Sequence, residues 1–253
     1  MAVALREGRA IRDAEAVAER PDGSRVPFIP YPTPLRDEHG KVIGAINMLV
    51  DISERRQAET QQRLLLNELN HRVKNNMQML QSLLSAATLE TQNPDARRIL
   101  AEASNRLAAM SAAQRVLYGT PNATRFAAAD FLNAVCRTVQ QTLGPGIRVV
   151  CHADPLQLSN DAAIPLALIL NELVTNAVKH GLKGRDEGVV RVDLVKDAEG
   201  YLLQVEDEGP GFDLESARKR SSGLILVQGL ARQLRGRFEV TRDQATRCRL
   251  HFS

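Results

Sequence analysis

The chain has 253 residues, 43% hydrophobic and 25% charged, the balance of an ordinary globular protein with real cores to bury. A formal net charge of only +3 and the lack of a long basic run argue against a nucleic-acid partner. Cys136, Cys151 and Cys248 are scattered and form no C-x-x-C pair, and no apolar run of membrane-spanning length or signal-peptide pattern is present, so the chain reads as cytoplasmic, in a reducing compartment, without structural zinc.

Residues 1–53 carry two β-rich runs, 25–35 and 41–52, divided by the turn signal Asp37-Glu38-His39-Gly40. Pro27, Pro30, Pro32 and Pro34 demote the first run to an edge or irregular strand. Two strands alone are marginal, so this region reads as a piece of a larger sheet.

Residues 54–122 read as a helical hairpin. Leu66, Leu69, Val73, Met77, Leu80, Leu84 and Ala87 recur at steps of three and four, which makes a packing seam. Asn93 before Pro94 predicts a cap and a new helix start. Leu100, Ala103, Leu107, Met110 and Leu117 repeat the spacing on the second arm. Such a hairpin buries its seams by pairing into a four-helix bundle, here a homodimer through residues 60–118. Residues 123–253 mix strands and helices without strict βαβ alternation, which predicts an α+β sandwich.

On the first arm, Asn67, Glu68, His71, Asn75, Gln78 and Ser82 form a polar ridge opposite the leucines. An imidazole is a competent nucleophile toward phosphorus near neutral pH, and Arg72 and Lys74 would attract phosphate. A lone exposed helical histidine is nonetheless usually inert, so the matter turns on whether a phosphate donor is encoded elsewhere.

Neither G-x-x-x-x-G-K-[ST] nor G-x-G-x-x-G occurs. Three other segments carry a nucleotide site. In "LALILNELVTNAVKHG" (166–181), Glu172, Asn176, Lys179 and His180 share a helix face, opposite Leu168, Ile169, Leu173 and Val174. That set suits phosphates and a hydrated Mg²⁺. In "VEDEGPGFD" (205–213), Asp207 would accept a hydrogen bond from an exocyclic amine, and Gly209 and Gly211 would let backbone approach a flat base. In "SSGLILVQGLARQLRG" (221–236), Ser222, Gly223 and Leu224 open a helix whose first amides bind phosphate. An acidic turn and an ordinary capped helix are the bland readings of the last two.

Taken together, "NELVTNAVKHG", "DEGPGF" and "SSGLILV" resemble the N, G1 and G2 boxes of the sensor histidine kinases, and "ELNHRVKNNMQMLQSLL" resembles the phosphoacceptor box of the subfamily with the motif H-R-V-K-N-N. The resemblance covers about residues 60–253. "HGKVIGAINMLVDISERRQAE" resembles the end of a PAS sensor domain, at about half a PAS domain's length. It implies a multi-domain chain: a partial PAS β-sheet (1–53), an antiparallel hairpin for dimerisation and phosphotransfer (54–122), and a Bergerat-type GHKL ATP-binding sandwich (123–253).

The resemblance further implies that ATP phosphorylates His71, which passes the phosphoryl group to the receiver domain of a response regulator. It assigns Asn176 to Mg²⁺, Lys179 and His180 to phosphates or ribose, Asp207 to adenine, Thr246 to the adenine end, and Glu172 to orienting a nucleophile. Departures are informative. Arg72 stands where most such kinases have an acid directly after the phosphoacceptor, which leaves Glu68, one turn earlier, as the substitute base and Asn75, one turn later, to bond the ring. Ala245 replaces a glycine before Thr246. With no Trp and with Asn171 in place of a histidine, the chain falls outside the related tryptophan-motif group. The short stretch from Gly211 to Gly223 predicts a small lid. The rival readings are a phosphotransfer scaffold with a decayed ATP site and a GHKL ATPase that uses Glu172 on water.

Overall fold

The computed structural model describes residues 6, 7, 9, 14–118, 124–198, 200–209, 222–242 and 245–253. It has two compact units, Met1–Arg72 and Val73–Ser253.

The first unit holds an antiparallel sheet of β1 (Ala16–Glu19), β2 (Arg25–Arg36) and β3 (Val42–Asp51), in that order. The predicted turn forms between β2 and β3. Asp37 Oδ1 accepts the N–H groups of His39 and Lys41 at 3.0 and 2.9 Å, and Gly40 takes the positive φ of 79° that the turn requires.

The proline-rich run is not simply an edge, because β1 makes β2 the middle strand. β1 covers only Arg25 to Phe28, however, so from Ile29 onward β2 has β3 as its one partner. Pro27 faces β3, since its carbonyl accepts the Ile52 N–H at 3.1 Å. By alternation, Pro30, Pro32 and Pro34 point the other way, where no strand among the described residues needs their missing donors.

Helix α1 (Ser53–Glu90) starts where Asp51 Oδ1 accepts the Ser53 N–H at 2.8 Å. Ile52 is buried beside that start, and Arg56 pairs with Glu15 ahead of β1. No residue of α1 is buried, and Leu66, Leu69 and Leu80 of the predicted seam are exposed.

In the second unit, helix α2 (Pro94–Tyr118) is capped as predicted: Asn93 Oδ1 accepts the N–H groups of Asp95 and Ala96 at 2.9 and 3.2 Å, with Pro94 in the first turn. The Ser111 hydroxyl lies 3.4 Å from the Met77 sulfur and registers α2 against α1. The buried face of α2 differs from the predicted one. Ala109, Ala112 and Ala113 are wholly buried, whereas Leu100, Ala103, Leu107 and Met110 are half-buried. The alanines join the core of the C-terminal sandwich, because small side chains let α2 approach helices α3 (Ala128–Gln140) and α4 (Ala163–Asn176) closely.

The remainder is the expected α+β sandwich. Its five-stranded sheet contains β5 (Ile147–Ala153), β7 (Gly188–Asp197), β8 (Gly200–Asp207), β9 (Arg237–Arg242) and β10 (Thr246–Phe252) in the order β5-β7-β8-β10-β9. Only β5 and β7 run parallel. A short pair, β4 (Arg125–Ala127) with β6 (Gln157–Ser159), was not anticipated from the sequence. Val190, Val192 and Leu194 alternate inward with Leu203, Val205, Cys248 and Leu250 to meet Phe131, Leu132 and Val135 of α3, Ile169 and Leu170 of α4, and Val227 of α5 (Ser222–Gln233).

Helix α4 lies between the sheet and α2, which is why Asn171 and Glu172 are buried along with Leu166, Leu170 and Leu173. The helical stretch Asn160–Gly181 is long and apolar enough to cross a membrane by length and composition, but 67% of its apolar window is buried in this core. The α-helix expected over 166–181 also ends early: Ala177–Gly181 is a π-helical turn, closed by the Leu182 N–H on the Ala177 carbonyl at 2.9 Å.

Candidate active site

A cavity of about 530 Å³ opens beside the C-terminal half of α4. Asn171, Glu172, Thr175 and Asn176 line it from α4, Lys179 and His180 from the π turn, and Ser222, Gly223 and Leu224 from the first turn of α5. The fold thus brings together residues that sequence reading took from two separate segments. The N-terminal turn of α5 lines that end of the cavity, and the positive end of a helix dipole favours an anion there.

Asp207, Gly209 and Thr246 form a second cluster, which does not line that cavity. Asp207 ends β8 directly across from Thr246 at the start of β10. Both are buried, Asp207 to 6% and Thr246 to 2% exposure. The Gly209 N–H donates to Asp207 Oδ1 at 2.8 Å, and the Thr246 hydroxyl donates to the Gly209 carbonyl at 3.2 Å. Burial pushes the Asp207 carboxyl above the usual aspartate range, against the opposing hydrogen bond from Gly209. Gly181, which closes the π turn right after His180, packs on this carboxylate. Gly211 and the predicted lid lie outside the described residues.

His71 is exposed on α1, as the helical wheel predicts. Arg72 Nε donates to Glu68 Oε1 at 2.8 Å, so the Glu68 carboxylate is held by arginine rather than by the imidazole. Asn75 is exposed one turn further along.

Sequence reading missed the contribution of α2. Arg98, Glu102, Asn105 and Arg106 line the same cavity. Arg106 grips Glu172 through Nε and Nη2 at 2.8 and 3.2 Å, and Lys179 Nζ meets Glu102 Oε1 at 2.8 Å. The signal was present: Glu102, Arg106, Ala109 and Ala113 recur at steps of four, three and four, a single helix face. Charged residues continuing an alanine stripe indicate a face that docks on another polar surface.

Comparison with known proteins agrees with this geometry. Residues 68–143 match the family model described as Histidine kinase, residues 146–250 that of the Histidine kinase-like ATPase domain, and residues 1–57 that of the PAS fold. The chain thus carries a histidine kinase domain, a histidine kinase-like ATPase domain and a PAS-fold domain, the set found in sensor histidine kinases. A blue-light-activated histidine kinase of Brucella anthropi is 29% identical over 213 residues, covering 79% of this chain and 41% of the relative. That of Brucella ovis is 28% identical over 214 residues, covering 81% and 41%. The chain therefore spans about two-fifths of the length of the curated relatives it matches. Among solved structures, the Erythrobacter litoralis blue-light activated histidine kinase superposes with a TM-score of 0.55 at 21% identity, over 99% of this chain and 77% of that one. Its isolated histidine kinase domain gives 0.52 at 18% identity, over 69% and 95%, which supports the fold.

Proposed function

We propose that this protein is an ATP-dependent histidine autokinase that phosphorylates His71 and passes the phosphoryl group to an aspartate of a response-regulator receiver domain. The reading keeps the functional division at 1–53, 54–122 and 123–253, with the PAS-fold segment biasing the hairpin between states. It also holds that the protein works in the cytoplasm as a homodimer through residues 60–118.

The observation that carries this reading is the convergence of Asn176, Lys179, His180 and the first turn of α5 on one cavity, with the buried Asp207 carboxylate packed against Gly181 at the end of the turn that supplies Lys179 and His180. Lys179, His180 and the amides of Ser222, Gly223 and Leu224 hold the phosphates, and Asp207 accepts the adenine amine, with Gly209, Gly211 and Thr246 shaping the base site. Magnesium fits this donor set. It binds through one or two protein oxygens plus phosphates and water, and the Asn176 amide supplies such an oxygen, whereas no group of three or more His, Cys, Asp and Glu side chains forms a cage among the described residues. When bound, the ion neutralises phosphate charge. The chain's own contribution is positioning: it fixes the phosphates, orients the base and presents an exposed imidazole.

Incubation with γ-labelled ATP tests the proposal. We expect an acid-labile, base-stable label on the wild type and none on His71→Ala, with binding of a non-hydrolysable analogue retained. A label of that kind on His71→Ala would sink it. Sustained ATP turnover without a labelled histidine would instead mark an ATPase.

A further inference from the structure

The cavity described above contains an anion where a triphosphate has to sit. Glu102 of α2 reaches Lys179 Nζ at 2.8 Å, and Arg98 Nη1 stands 3.5 Å from the same carboxylate. Its hydrogen bond with Lys179, opposed by partial burial, holds the Glu102 carboxyl below the usual glutamate range, so it is charged at neutral pH. Next to it, Arg106 closes on Glu172 with both arms of its guanidinium. Ala109, Ala112 and Ala113 anchor the same helix in the core, so Glu102 is carried on a fixed support rather than a loose one.

We propose that α2 is the fourth wall of the nucleotide site, and that Glu102 is a resident competitor of the nucleotide phosphates for Lys179. This rests on the reading of the cavity as an ATP site. One ammonium cannot serve a carboxylate and a triphosphate fully at once, and the carboxylate repels the phosphates at close range. Nucleotide binding therefore exchanges the Lys179–Glu102 pair for a Lys179–phosphate pair, while Arg106 keeps α2 on Glu172. The displaced carboxylate keeps Arg98, 3.5 Å away, as its cation. Because α2 is the second arm of the hairpin that carries His71, the occupancy of the site is felt in the helix pair.

The test is calorimetric titration of the full chain with a non-hydrolysable ATP analogue and Mg²⁺, with ADP, and with adenosine. Glu102→Gln is expected to bind both phosphorylated ligands about two- to fivefold more tightly than the wild type, the range set by a partly exposed ion pair, and adenosine unchanged. Lys179→Ala is expected to weaken the phosphorylated ligands, and adding Glu102→Gln to it recovers less than in the wild-type background. Binding of the analogue by Glu102→Gln no tighter than by the wild type, or a gain equal for adenosine, overturns the competitor role and leaves the ATP site standing. Failure of both wild type and Glu102→Gln to bind the analogue saturably instead removes the ATP site itself.

Discussion

Gly181 lies directly against the Asp207 carboxylate: a Cβ on residue 181 would overlap its oxygens, and a Cβ on Gly209 would overlap both the α-carbon of Gly181 and the same carboxylate. The π turn at Ala177–Gly181 and the β8 terminus are thus fitted to each other through two glycines. Gly181→Ala should push the carboxylate out of place. We expect a stability loss of about 1–3 kcal/mol, as for other overpacked sites, visible in denaturant unfolding. ATP-analogue affinity should fall by more than that loss of folded protein explains.

Asp207→Asn separates recognition from stability. Losing a charge-assisted hydrogen bond to adenine should weaken ATP-analogue binding by about 10- to 100-fold. The fold should not suffer. Burial raises the Asp207 carboxyl, so its protonated form favours the folded chain; that contribution is full below the unfolded value and is lost as pH rises through the folded one. At neutral pH the buried anion opposes folding, and the amide variant should melt no lower than the wild type. A clear drop in its melting temperature would contradict this.

The same sign fixes a pH profile. In the proposed role the Asp207 carboxylate accepts the adenine amine, and protonation weakens that acceptor by removing its charge. Wild-type affinity for the analogue should decline as pH is lowered, beginning above the ordinary aspartate range because the carboxyl is raised. Asp207→Asn should lack this limb. A profile identical in the two proteins would assign the decline to another group.

Much of this was legible in the sequence, for identifiable reasons. Strand alternation at β7, β8 and β10 and the Asn93-Pro94 cap are local signals, and the structure follows them. That Glu172, Asn176, Lys179 and His180 line one cavity was legible because they sit within one helical stretch. Three features were not legible, because they depend on partners distant in sequence. β1 turns the start of the proline run into a central strand; α4 pulls the Ala109, Ala112 and Ala113 face away from the hairpin seam; and the fit of Gly181 to Asp207 accompanies a π turn where periodicity predicts α-helix. Half-buried α2 leucines at the expected spacing hid the alanine face, since small residues score weakly in any pattern of apolar bulk.

That alanine face yields its own prediction. Ala113 is wholly buried where α2 meets the ATPase helices. Ala113→Leu should destabilise the protein by about 1–3 kcal/mol, since a packed helix contact has no room for three more carbons. Ala101→Leu, on the exposed side of the same helix, should stay within about 0.5 kcal/mol of the wild type. Equal denaturant midpoints for the two variants would show that α2 is not held through its alanines.

The leucines left uncovered on α1 address the proposed homodimer. Leu65, Leu69, Leu80 and Leu83 are 59%, 57%, 48% and 58% exposed, and steps of four, eleven and three keep them on one stripe. A long helix with no buried residue and an apolar stripe gains little from its own chain, so pairing with a second copy is its main source of burial. Sedimentation of the wild type should show a dimer, and Leu69→Glu with Leu80→Glu should shift it to monomer. Each leucine is worth about 1.5–3 kcal/mol when buried, so the dissociation constant should rise well over about a hundredfold for the pair of changes in both copies. Analogue binding should survive, because the cavity is lined by α2, α4, the π turn and α5 and by no residue of α1. A wild type that stays monomeric at high concentration would reject the homodimer, and would leave the ATP site untouched.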